Sequence, residues 1–150
     1  MRLIKPSYEI IEQGAGLDGI YKQIELAGRT CYKSTDKIIE DSAKGFVERM
    51  VKSGHGAMLE HGTVYLHIQI PRKVWHDGVS NYYHNPHTVV NSITDALDTH
   101  YYITTNYRVM VENGWLGDLK YICEPTEYHE KRVTVRFVCD RGVSHKKFVA

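Results

Sequence analysis

Two hydrophobic periods alternate along the chain, and each switch between them marks an element. Leu3 to Ile11 mixes apolar and polar residues as a first strand does, until Gln13-Gly-Ala-Gly16 interrupts it. From Asp18 the apolar positions Ile20, Ile24 and Ala27 fall at helical spacing, with Gly28 as the expected stop. A second helix is predicted from about Asp36 to Ser53. Its stripe is Ile39, Ala43, Phe46, Val47, Met50 and Val51, and Gly54 stands at its C-terminal end. From His61 to Ile70 the period drops to two: Val64, Leu66, Ile68 and Ile70 alternate with Thr63, Tyr65, His67 and Gln69, the pattern of a half-buried strand ended by Pro71.

The stretch 71–98 has little periodicity and many Asn, His, Asp and Tyr, so an irregular excursion is expected there, with a short helix near Val89–Leu97. Tyr101 to Thr105 reads as a strand, and Tyr107 to Cys123 as two helical pieces broken at Gly114. Val133 to Cys139 alternates again and predicts a strand, after which Asp140 would cap a helix beginning at Arg141. Together these elements predict an α+β fold: a mixed or mainly antiparallel sheet with helices packed on one side, in a single domain spanning 1–150.

Composition narrows the classes of partner. The 150 residues are 42% apolar and 25% charged, an ordinary globular balance. Nineteen basic against eighteen acidic side chains leave +1, where a nucleic-acid polymer would call for a basic excess. No apolar run is long enough to cross a bilayer, and the N-terminus has no signal-peptide core, so no membrane partner is expected. Cys31, Cys123 and Cys139 form no CxxC pair, which predicts free, buried thiols in a cytoplasmic setting. The eleven tyrosines cluster at Tyr82-Tyr83 and Tyr101-Tyr102 and suit an interface or base stacking.

The densest chemistry lies in Ser53-Gly-His-Gly-Ala-Met-Leu-Glu-His61. His55, Glu60 and His61 stand beside two glycines, so groups that share a proton or orient a heterocycle are packed against backbone that a ligand can approach. The alternative is that they are hydrogen-bonded structural groups joining a helix to a strand. His84-Asn-Pro-His87 lacks a third metal ligand at a workable spacing, so exposed loop histidines and no metal site are expected. No context marks Cys31 as a nucleophile, and a core thiol is expected. Arg72, Arg108, Arg132, Arg136 and Arg141 are candidates to clamp an anion, with Thr104-Thr-Asn-Tyr-Arg108 placing an amide and a guanidinium at a strand end.

The Gly54–His61 segment resembles the GHxxxxEH signature of the flavin-dependent thymidylate synthases, also called thymidylate synthase complementing proteins. Ala27-Gly-Arg-Thr-Cys-Tyr32 is similar to the end of that family's first helix. Arg136 to His145 is similar to the strand and helix start that lead into its RHRxxS motif. On this alignment residues 71–132 are an insertion, and the chain corresponds to the family's N-terminal part. The resemblance implies reductive methylation of dUMP to dTMP with methylenetetrahydrofolate, with FAD as cofactor, NADPH as reductant and a homotetrameric assembly. It places His55, Ala57 and Glu60 at the cofactor and assigns no catalytic residue. Two departures accompany it. Ala57 stands where the family usually has Ser or Thr, and after His145 the chain reads Lys146-Lys-Phe-Val-Ala150 with no Arg-His-Arg, so no turnover is expected of these residues alone. The rival expectation is a non-catalytic assembly module that uses the tyrosine-rich 71–107 region as its interface.

Overall fold

The computed structural model describes residues 5–74 and 77–139. The fold is α+β, with antiparallel sheets and helices. Its described residues form two compact units, one of 13–132 and one of the terminal stretches 5–12 and 133–139.

The larger unit begins with helix α1, Gly16–Cys31. Asp18 in its first turn and Arg29 in its last complement the helix dipole. Gly28 does not stop it. A Cβ there would stand 2.4 Å from Cζ of Phe46, so this glycine lets the Phe46 ring lie on α1, and the helix runs three residues further. Helix α2, Ser42–Lys52, is shorter than its hydrophobic stripe suggests, and Thr35–Lys37 is a separate 3₁₀ turn. The Ser42 hydroxyl is the reason. It accepts from the Ile39 N–H, and its proton is shared between the Ile39 carbonyl and Oε2 of Glu25, each at 2.8 Å, which offers that backbone an alternative to helix and leaves Ile39 71% exposed. At the other end, Gly54 at φ 70 accepts the left-handed turn expected of it.

After the four-residue helix α3, Gly56–Leu59, three strands form one antiparallel sheet in the order β2 (Thr63–Pro71), β4 (Asp98–Asn106), β3 (Val89–Thr94). β3 replaces the short helix expected near Val89–Leu97. Its β-branched run pairs Val89 with Thr104 through to Thr94 with Thr99. The Asp95 carboxylate closes the β3–β4 turn by accepting from the N–H groups of Leu97 and Asp98, both at 2.8 Å. A short helix, α4 (Asp77–Tyr82), also interrupts the expected excursion. Helix α5 (Tyr107–Glu112) and a 3₁₀ turn, Leu116–Tyr121, match the two pieces predicted on either side of Gly114, which sits at φ 72.

Register decides what each sheet face carries. Val64, Leu66, Tyr101 and Ile103 share one face and join Ile20, Ile24, Phe46, Val47, Leu59 and Met110 in the core. Tyr65, His67, His100 and Tyr102 share the other. The 123–132 segment crosses that second face: the Cys123 N–H bonds the Tyr65 carbonyl, the Arg132 N–H bonds the Tyr65 hydroxyl, and the Tyr128 carbonyl accepts from Asn91.

In the smaller unit β1 (Ser7–Ile11) pairs antiparallel with β5 (Thr134–Val138), bringing Tyr8 opposite Phe137 and Glu9 opposite Arg136, whose charges are 3.3 Å apart. The helix expected after Asp140 lies outside the described residues. The thiols are less hidden than expected: Cys31 ends α1 in the open, Cys139 is exposed just past β5, and only Cys123 is partly covered.

Candidate functional site

The Ser53–His61 segment is built from its backbone outward. Helix α2 ends in a paired set of reverse hydrogen bonds, His55 N–H to Met50 carbonyl at 3.0 Å and Gly54 N–H to Val51 carbonyl at 3.2 Å. This Schellman arrangement satisfies carbonyls that a helix end leaves orphaned and fixes where His55 leaves the helix. α3 then turns Leu59 into the core, 2% exposed, while Ala57 and Glu60 face solvent. Gly62 closes the segment directly beneath α1, where a Cβ would stand 2.7 Å from Cδ1 of Ile24. The result is a short exposed ledge fastened at both ends to the core.

Two side chains from distant elements hold that ledge. At one end the Tyr32 hydroxyl, just past α1, lies 3.1 Å from Nδ1 of His55, with the two rings 6.4 Å apart. At the other, Arg108 of α5 reaches Glu60 at 2.6 Å through Nη1 and Glu112 at 2.7 Å through Nε. The two carboxylates, Glu112 first and then Glu60, push the Arg108 guanidinium still further toward its charged form. Gly56 makes room for this contact, since a Cβ there would stand 2.9 Å from Nε of Arg108.

His55, Ala57 and Glu60 are therefore brought to one exposed segment, but no shared-proton trio forms. His55 bonds a phenol, Glu60 bonds a guanidinium, and His61 stands exposed beside them, its N–H closing a turn to Met58. What sequence spacing missed is two pairings, Tyr32 with His55 and Arg108 with Glu60; Arg108, a candidate anion clamp by sequence, meets the carboxylates of Glu60 and Glu112. The signal for Arg108 lay in Gly56, a helix-start glycine that a contact explains better than a turn does. Asn106, the amide of the Thr104–Arg108 stretch, instead caps α5 by accepting from the Val109 N–H at 3.0 Å.

Other polar groups fall elsewhere. Among the described residues no three His, Cys, Asp or Glu side chains converge as a metal set, and His84 and His87 are both exposed. On the second sheet face, Asp95, His100 and His67 form a hydrogen-bonded chain, 3.1 Å from Oδ2 to Nε2 and then 3.0 Å from Nδ1 to Nε2. His67 lies face to face with Tyr102 at 4.8 Å. Desolvation first, and then His100 and His129, hold the His67 imidazole below its ordinary pKa. A separate cleft of about 300 Å³ is lined by Ile68, Ile70, Val79, Tyr82, Tyr83 and Asp118, with the Tyr83 hydroxyl donating to Asp118 at 2.8 Å.

No significant match was found among curated proteins or among solved structures. Residues 17–81, which run from α1 through the ledge and β2 into α4, match the family model of the thymidylate synthase complementing protein.

Proposed function

We propose that this chain carries part of the flavin site of a flavin-dependent thymidylate synthase, the enzyme class that methylates dUMP to dTMP with methylenetetrahydrofolate and NADPH. The observation that carries this reading is the ledge itself: inside the matched residues, His55, Ala57 and Glu60 are exposed along one segment whose ends are anchored.

The residues present fit a flat heterocycle. The exposed His55 and Tyr32 rings, tilted 37° to each other, offer two flat surfaces. Ala57 adds only a methyl group, which removes the hydroxyl contact that Ser or Thr would make there and leaves hydrogen bonding to the backbone. Bound FAD would supply hydride transfer. His55 would orient the ring system, and Glu60, tied to Arg108, would hold the shape of the ledge. We read the insertion expected at 71–132 as beginning after residue 81, where the family match ends, within a single family domain, and expect a homotetramer in the cytoplasm. Turnover of dUMP is not expected from these 150 residues by themselves, because they contain no Arg-His-Arg to meet the nucleotide phosphate.

Flavin fluorescence titration tests the reading. Saturable quenching of FAD that weakens about ten-fold in His55→Ala is the expected result, the loss of one charge-free hydrogen bond together with a ring contact. Equal affinity in His55→Ala removes this histidine from the site. No quenching at any concentration defeats the proposal.

A further inference from the structure

We propose that Tyr32 is a positioning residue that sets the tautomer of His55, so that this site presents an imidazole N–H and selects a ligand with a hydrogen-bond acceptor facing it. The inference rests on the flavin reading for the identity of the ligand, but the positioning itself rests on geometry alone.

The backbone of His55 has no freedom to reorient. It is the residue after Gly54 in the Schellman turn, and its own N–H is committed to Met50. What remains is the imidazole ring, which among the described residues has one side-chain partner, the Tyr32 hydroxyl at 3.1 Å from Nδ1. A phenol O–H is a better donor than its oxygen is an acceptor, and an unprotonated imidazole nitrogen is the better acceptor of the two. Tyr32 therefore donates to Nδ1. The proton of neutral His55 is then on Nε2, directed away from Tyr32. Both side chains are solvent-facing, Tyr32 at 49%, so the bond adds little to stability, and its consequence is orientation.

Tyr32 is itself placed by the end of α1. Its N–H bonds the Gly28 carbonyl at 2.9 Å, and Lys33 at φ 50 turns the chain away immediately afterwards. Gly28 is the residue on which the Phe46 ring of α2 rests. The α1–α2 crossing that brings Tyr32 to its position thus also fixes the helix from which His55 emerges. Donor and acceptor are delivered by one packing contact. The ligand atom that suits an Nε2–H is a carbonyl oxygen or an unprotonated ring nitrogen of a heterocycle, and a ligand presenting only N–H or C–H there is disfavoured.

The test uses Tyr32→Phe, which keeps the exposed ring and removes only the hydroxyl. Long-range ¹H–¹⁵N spectra of the ligand-free protein read the His55 tautomer directly. The wild type is expected to show Nε2 protonated and Nδ1 bare. The variant is expected to lose the hydrogen-bond shift at Nδ1 and move toward a mixture of tautomers. FMN affinity, measured by fluorescence, is expected to fall about five-fold, as for the loss of one oriented hydrogen bond. Unchanged ¹⁵N shifts in the variant would overturn the proposal whatever FMN does. If the shifts change and FMN affinity does not, His55→Ala decides. Weaker FMN binding in His55→Ala would overturn the positioning role. FMN binding equally well to both variants would take His55 out of the flavin site, FMN binding to none of the proteins would defeat the flavin reading, and either result would leave the tautomer assignment supported.

Discussion

His55 and His129 both sit at chain reversals, and they are held in opposite ways. His129 is 5% exposed, and both of its ring nitrogens are committed. Nδ1 accepts from the Thr126 N–H at 3.0 Å, which leaves Nε2 protonated to donate to the Leu66 carbonyl at 3.1 Å. The rings of Tyr65 and Tyr102 meet it edge-on at 5.4 and 5.3 Å. His55 is exposed, with a phenol on Nδ1 and no partner on Nε2 among the described residues. A histidine satisfied on every side fixes the 123–132 segment to the sheet. One satisfied on a single side keeps a nitrogen for a ligand. The same side chain is structural in one region and a site candidate in the other, and the difference is the number of unspent hydrogen bonds.

The strongest way to break that contrast is truncation at both positions. His129→Ala leaves the Thr126 N–H and the Leu66 carbonyl unpaired beside a void, and should cost about 3 kcal/mol of unfolding free energy. His55→Ala should stay within about 0.5 kcal/mol, as exposed substitutions do. Urea denaturation of the two variants checks both. Comparable midpoints would mean that His129 is not the anchor its contacts describe.

Acidification should sharpen the contrast with a somewhat smaller effect. Burial lowers the His129 pKa, opposed in part by the Leu66 carbonyl, and desolvation with His100 and His129 lowers that of His67. A histidine whose folded pKa lies below its unfolded value binds fewer protons folded than unfolded. Stability is therefore lost as pH falls through the ordinary imidazole value of about 6.5 toward the lowered one, and levels off below it. Asp95 stays charged through this window, because the Asp98 and Leu97 N–H groups and then His100 hold its carboxyl below the usual range. Urea midpoints measured from about pH 7.5 down to pH 5 should fall, and His67→Phe should flatten part of the slope. An unchanged slope in that variant would assign the whole effect to His129.

Thr104 offers a test of opposite sign. Its hydroxyl is buried on the second sheet face with no partner among the described residues. Thr104→Val replaces an unsatisfied group with a methyl of similar size and should raise stability by about 1 kcal/mol. Destabilisation in the same urea assay would show that the hydroxyl is satisfied in solution.

These regions also differ in how far the sequence announced them. The ledge was legible because its chemistry is local: two glycines, His55 and Glu60 lie within one helix end and one turn, and Gly54 takes the left-handed turn expected at the end of α2. Its clamps were not, because Tyr32 is 23 residues from His55 and Arg108 is 48 from Glu60. Such pairs exist only once α1 crosses α2 and α5 returns to α3. The imidazole chain depends on register in the same way. His67 and His100 meet because Ile68 pairs with Tyr101, and a slip of one residue would turn one of them to the core face. β3 was misread for a related reason. Asn91 and Ser92 dilute its β-branched run, and only pairing with β4 and the Asp95 turn make it a strand.

The smallest expected effect concerns the two carboxylates on Arg108, and it separates a clamp from a surface ion pair. Glu60 and Glu112 side chains are 52% and 56% exposed, so neither substitution should move the unfolding midpoint measurably. The two differ in what they tie. Glu112 is four residues along α5 from Arg108, and losing it frees only a helix surface. Glu60 joins α5 to the ledge across 48 residues, and losing it frees the segment that carries His55 and Ala57. Glu60→Gln should therefore weaken flavin binding about two-fold, with the difference from wild type shrinking at high salt, and Glu112→Gln should leave binding unchanged. Equal responses of the two variants would reduce Arg108 to an ordinary surface cation and leave Tyr32 as the ledge's one side-chain anchor.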